Sequence, residues 1–343
     1  MGGYIYDILI QNTKGSNNMK EKIFIVPEGT KVITRGTIPR DVTKVVIPDT
    51  VIEIGNKAFY FCKALNSLII PNTVTAIGKN AFAHCYSLES LVIPEGITEI
   101  CEWTFHACTS LKSIDIPASV TKIGVASFEG CSALETLVIP NTVTAIGNCT
   151  FYGCDSLKTM SIPDSVTEIG EDAFEGCSAL ESINIPKGVI KIGDGAFTGC
   201  RSLKSLTIPD GITEIGDCVF DNCTSLESLI IPNTVTSIGK FAFYECNSLK
   251  TMNIPDSVTS IGESAFEGCI ALESINIPDS VTSIGDTAFK DCIALKSIDI
   301  PASVTSMGDC VFDDCTSLKC INIPEGVPIG CCTIDTFNAI NRI

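Results

Sequence analysis

The chain has 343 residues, 45 % of them hydrophobic, and a formal net charge of −17. The apolar residues are ample for a core but come in short groups, and no run approaches the roughly 18 consecutive apolar residues of a membrane-spanning helix. Residues 1–47 carry seven Lys and Arg against four acids, so the remainder holds −20; nucleic acid and anionic membranes are poor partners for such a body, because phosphate binding needs clustered cations, and with no long apolar run no membrane insertion is expected.

Residues 1–22, MGGYIYDILIQNTKGSNNMKEK, lack the basic stretch, apolar core and small-residue cleavage site of a signal peptide. Tyr6 stands where a myristoylation site has Ser or Thr. This segment is expected to be loosely ordered or part of a cap. Residues 23–47 hold two strand-like pieces and read as a degenerate first coil that closes the core as an N-terminal cap.

From residue 48 the chain is periodic. Prolines stand at 48, 71, 94, 117 and on to 324, thirteen positions at intervals of 23, which is the signature of a repeat solenoid. Aligned on that proline, the unit reads P-x-x-V-T-x-I-G-x-x-A-F-x-x-C-x-x-L-x-x-I-x-I. L-x-x-I-x-I alternates as a short strand with its apolar pair inward, and the proline ends it by removing a ladder donor. V-T-x-I is a second extended piece, and the Gly after it is expected to occupy a turn with positive φ. Ala, Phe, Cys and Leu then fall at i, i+1, i+4 and i+7, a spacing that predicts a short helical turn. One unit cannot bury this set alone, so the expected fold spans residues 48–324 as about 13 stacked coils, each with a short parallel β-strand, an extended piece and a helical turn.

The residue after the Leu alternates in sign over ten successive units, from Glu89 and Lys112 to Glu273 and Lys296. Stacking then sets opposite charges beside each other. A larger copy overlies the small one: ESINIP at 181–186 returns at 273–278, inside two 92-residue blocks.

Units such as IPDSVTSIGESAFEGCIALESINIP resemble the BspA-like, or Treponema pallidum-type, family of leucine-rich repeats, over roughly residues 43–326. The resemblance implies a leucine-rich repeat stack and a bacterial or protozoan surface protein that binds other proteins in adhesion. The absence of a signal-peptide pattern and the many cysteines point instead to the cytoplasm. Residues 325–343 begin another unit and then lose the spacing; they are expected to form a partial repeat and a helical C-terminal cap.

Nineteen cysteines invite a disulfide or metal reading, but twelve share the column three residues after the Phe, where each reads as a small buried hydrophobe with its side chain parallel to its neighbours. Cys331 and Cys332 are expected to be open to oxidation. Zinc needs closely spaced Cys and His ligands, and the only two histidines, His84 and His106, lie beside inward-facing cysteines, so no metal is expected. A Cys–His dyad needs a cleft that a stack does not make, and glycines come singly instead of in a phosphate-cradling cluster. The sequence therefore predicts no enzyme and no cofactor. The acids of the turn segments read as a solvated face, with weak calcium binding or a basic partner as the sharper alternative.

Departures from the consensus locate the candidate surface. Tyr60, Phe61, His84, Tyr86, Trp103 and His106 all occupy non-core columns of the first three coils, and stacking is expected to gather them on one side as partner anchors or as packing against the N-terminal cap. In the outward strand column, Val46, Ile69, Val92 and Val138 are apolar, whereas Ser161, Asn184, Asn253 and Asn276 are polar. The sequence thus points to a protein-binding scaffold that engages another protein through its N-terminal third. The alternative is a structural protein that self-associates in a cell surface, envelope or virion.

Overall fold

A computed structural model describes residues 4–9, 20–327 and 340–342. It is a solenoid of about 13 coils of 23 residues, divided into an N-terminal unit, Met1–Ser165, and a C-terminal unit, Val166–Ile343.

In the N-terminal unit β1 (Tyr4–Leu9) pairs antiparallel with β2 (Lys20–Ile25), and β2 continues in parallel to β4 (Lys44–Val46) and β6 (Ser67–Leu68). Residues 4–9 thereby extend this sheet by one antiparallel strand. A second sheet runs from β3 (Val32–Ile33) through β5 (Glu53–Ile54) to β7 (Ala76–Ile77), all parallel. β8 (Ser90–Val92) pairs in register with the strand Ser113–Asp115. The C-terminal unit repeats both sheets, and its second sheet runs in parallel through the five strands at residues 214, 237, 260, 283 and 306. Its final strand, Ile340–Arg342, pairs in parallel with Cys320–Ile323. The expected C-terminal helix, with Cys331 and Cys332, lies outside the described residues.

The inward columns follow the sequence pattern. Twelve Phe rings, from Phe59 to Phe312, are fully buried. They stack nearly parallel at 5.0–5.7 Å from Phe59 to Phe151 and at 5.2–5.8 Å from Phe174 to Phe312, an offset geometry that aromatic quadrupoles favour. Hydroxyls form a further ladder: Thr75 Oγ1 donates to Ile52 O and Thr121 Oγ1 to Thr98 O, each one coil back. The sign alternation pairs as predicted at Glu89–Lys112, 3.5 Å, and Glu273–Lys296, 2.6 Å.

Two expectations are corrected. The A-F-x-x-C segment is a run of turns, and no helix occurs among the described residues. Residues two before and two after each Phe take positive φ, as at Lys57 (58°) and Phe61 (62°), so right- and left-handed backbone alternate and the N–H groups do too. Lys57, Phe59 and Phe61 donate outward to Lys79, Ala81 and Ala83 of the next coil at 2.7–3.0 Å, while Ala58, Tyr60 and Cys62 donate three residues back. A helix would spend every N–H inside its own coil and leave this face unjoined. The apolar spacing is satisfied either way, because the back-bonded turns also hold Ala, Phe, Cys and Leu inward.

The second correction concerns the Gly after V-T-x-I, which does not have positive φ. In most coils it lies close against the backbone of the coil before: a Cβ at Gly78 would sit 2.6 Å from Asn56 N, whereas at Gly147 the nearest atom is 3.3 Å away and Cys101 fills the same column. Where the coils are tight, the column needs the absence of a side chain and not conformational freedom.

Candidate functional site

Two surfaces in the N-terminal unit depart from the repeat. The first is on the strand face. Because strand side chains alternate, burying Val45 and Leu68 turns Val46 and Ile69 outward, and Val92 follows on β8. Ile69 is 83 % exposed, Val92 64 % and Val46 43 %. These three apolar side chains, with Lys44, Ser67, Ser90 and Asp49 beside them, line a groove of about 520 Å³. Asp115, in register with Val92, ends the apolar run, and Val138 resumes it, also exposed. In the C-terminal unit the same column reads Asn184, Thr207, Ile230, Asn253, Asn276, Asp299 and Asn322, so Ile230 is a lone apolar residue that the sequence reading passed over.

The second surface is on the turn face. Tyr60, Phe61, His84, Tyr86 and His106 form one cluster of rings: Phe61 and His84 lie 4.3 Å apart, Tyr60 and Phe61 4.7 Å, His84 and His106 5.0 Å, and His84 and Tyr86 5.7 Å between centroids. All five are partly exposed. The Tyr86 hydroxyl is 3.2 Å from His84 Nδ1. His106 Nδ1 is 3.5 Å from Glu129 Oε2, near enough for an ion pair once the ring is protonated, but without hydrogen-bond geometry. Burial pushes the His84 pKa below the ordinary histidine range, and His106 and Lys63 push it the same way.

Trp103 does not join the cluster. It stands two residues before its Phe, at the other end of the turn, is 39 % exposed and makes no ring contact among the described residues. Sequence spacing placed all six residues off the core correctly, yet only five share a surface. What it missed are the cations: Lys63 Nζ lies 5.2 Å from the Phe61 ring centroid and 5.6 Å from that of Tyr86, and Lys57 Nζ lies 5.4 Å from that of Tyr60. The sequence signal was present in Lys63 and Tyr86, which share a column one coil apart.

Phe61 and His84 hold φ of 62° and 64°, the left-handed conformation that this column takes in every coil, at Gly130 and Glu245 as here.

The cysteine column offers no chemistry. Cys108 Sγ donates to Phe82 O at 3.2 Å and Cys131 Sγ to Phe105 O at 3.2 Å, each to the preceding coil, and the bonds recur in the C-terminal unit. Burial pushes the Cys108 and Cys269 thiols up to about 12, far from the thiolate that a nucleophile or metal ligand requires. Among the described residues no group of three His, Cys, Asp or Glu side chains is placed to hold a metal ion. No helix among them is long and apolar enough to cross a membrane.

A family model described as BspA type leucine rich repeat region matches residues 39–158, 144–271 and 213–331. Among solved structures, a leucine-rich repeat protein from Bacteroides ovatus ATCC 8483 is 29 % identical over 99 % of both chains, with a TM-score of 0.66. A leucine rich cell surface protein from Faecalibacterium prausnitzii A2-165 is 30 % identical over 93 % of this chain and 94 % of its own, with a TM-score of 0.60. A leucine-rich repeat protein from Eubacterium ventriosum ATCC 27560, 23 % identical over 87 % of this chain and 92 % of its own, shares the fold at a TM-score of 0.57. No curated protein sequence matches the chain.

Proposed function

This chain belongs to the BspA-type leucine-rich repeat family, and from that premise we propose that it is a non-enzymatic scaffold that binds another protein through the N-terminal unit. The observation that carries the reading is the run of Val46, Ile69 and Val92, three outward apolar side chains on consecutive coils lining one groove. Interface cores are built from apolar and aromatic anchors of this kind, and three of them on consecutive coils form a contiguous exposed patch, unlike the isolated Ile230. The polar residues that fill most of this column in the C-terminal unit show that the fold itself does not require an apolar one. The cell-surface relative supports a cell surface as the setting.

The test is capture from extracts of the source organism or its host, run with three forms of the full chain. Ile69→Ser with Val92→Ser is expected to lose a protein retained by the unsubstituted chain, with its melting temperature unchanged, since both side chains are already in water. Tyr60→Ala with Tyr86→Ala reports on the turn-face cluster in the same way. Capture undiminished in both variants would overturn the assignment to this unit.

A further inference from the structure

Several lysines of the N-terminal unit are paired with carboxylates. Lys79 pairs with Glu102 at 2.8 Å, Lys122 with Glu99 at 2.7 Å and Lys112 with Glu89 at 3.5 Å. Lys57 and Lys63 instead rest over the rings of Tyr60, Phe61 and Tyr86, and among the described residues no carboxylate lies within ion-pair distance of either. A cation over an aromatic face keeps its charge available to a second partner, because the ring quadrupole contributes only about 0.5–1 kcal/mol at an exposed site.

Charge is also unevenly divided along the chain. Residues 1–165 carry 13 Lys and Arg against 15 Asp and Glu, a net of −2, and residues 166–343 carry 10 against 25, a net of −15. The cluster is therefore a cationic spot on the nearly neutral part of an acidic protein. Phe61 and His84, with ring centroids 4.3 Å apart, lie at its centre.

We propose that this cluster docks an acidic segment of a partner protein that also carries aromatic side chains. Its carboxylates pair with the ammonium groups of Lys57 and Lys63, and its rings lie against Phe61 and Tyr86. Aromatic anchoring supplies the contact area, and the two ammonium groups select against basic segments. A polyphosphate chain fits less well, since two cations on a chain of −17 cannot offset its closely spaced charges. The inference rests on the reading of the N-terminal unit as a binding surface, but uses a different face from the groove.

The probe is a fluorescein-labelled peptide of alternating Glu and Tyr, titrated against the full chain and followed by anisotropy. Binding is expected to weaken with salt and to fall about tenfold or more in Lys57→Glu with Lys63→Glu, which reverses both charges without touching the core. The Ile69→Ser, Val92→Ser form should bind the peptide as the unsubstituted chain does. Any of four results would overturn the proposal: no binding of the acidic peptide, binding untouched by the double charge reversal, equal binding of a Lys–Tyr peptide or a single-stranded oligonucleotide, or self-association of the chain that the peptide does not compete. Loss of this binding with groove-dependent capture intact removes this inference alone and leaves the proposed function standing.

Discussion

At Gly262 an added methyl group would lie 2.5 Å from the carbonyl carbon of Gly239 in the coil before it, and backbone cannot swing aside as a side-chain tip can. Gly262→Ala is therefore expected to destabilise the chain by about 1–3 kcal/mol, the range for overpacking a tight site, read as a lower denaturant midpoint. A midpoint equal to that of the unsubstituted chain would show that coils approach less closely here. Gly29, with open space around it, lies outside this mechanism and carries a positive φ instead. The period-23 glycine was visible in the sequence, but its reason was not: one sequence shows that a side chain is missing and cannot show which neighbouring coil needs the room. The cysteine column is a similar case. Its burial was legible from the spacing beside Phe, whereas the bond from each thiol to the Phe carbonyl one coil back, as from Cys223 to Phe197 at 3.2 Å, depends on the stacked backbone. With burial holding these thiols protonated, a thiol reagent at mildly alkaline pH is expected to label the column only after unfolding. Labelling of Cys108 or Cys269 at the rate of the partly exposed Cys218 would contradict it.

The turn is the element in which sequence and structure part. Spacing of Ala, Phe, Cys and Leu fits a helix and a chain of back-bonded turns equally well, and only the outward N–H groups of alternate residues decide between them. The strands, by contrast, were readable, because alternation inside L-x-x-I-x-I has a single structural solution. Glu245 tests the turn: it holds φ of 54° at a position that is Gly268 one coil later. Glu245→Gly should raise stability by up to about 1 kcal/mol. A loss of stability would mean that the alternating backbone is not what the site demands. The same carboxylate acts on Asp221, whose pKa rises to about 6, first through burial and then through Glu245. A carboxyl raised in the folded state binds its proton more tightly there than in the unfolded chain, so stability falls as pH rises from about 4 to about 6. Asp221→Asn is expected to flatten that part of the pH–stability curve and to raise the melting temperature at neutral pH. An unchanged slope between those pH values would remove Asp221 as its source.

For the whole molecule, copying explains the scaffold, and the proposed binding surfaces lie at departures from it. ESINIP, repeated at 181 and 273, supplies core strands and a charge ladder, as its inward Ile183 and Ile275 show. Val46, Ile69 and Val92 on one face, and Tyr60, Phe61 and His84 on another, are departures, and both lie in the N-terminal unit. The strand-face column could be assembled from sequence because its residues recur every 23 positions. The turn-face cluster was legible only in part: Trp103 shares its neighbourhood in sequence but stands at the opposite end of its turn, and the lysines over the rings belong to side-chain placement that periodicity does not encode. A partner should accordingly protect one unit and leave the other unchanged. The most direct measurement is amide hydrogen exchange on the full chain, free and with its captured partner bound. Slowed exchange confined to residues 44–138 is the result this account predicts, and slowed exchange confined to residues 166–327 would contradict it.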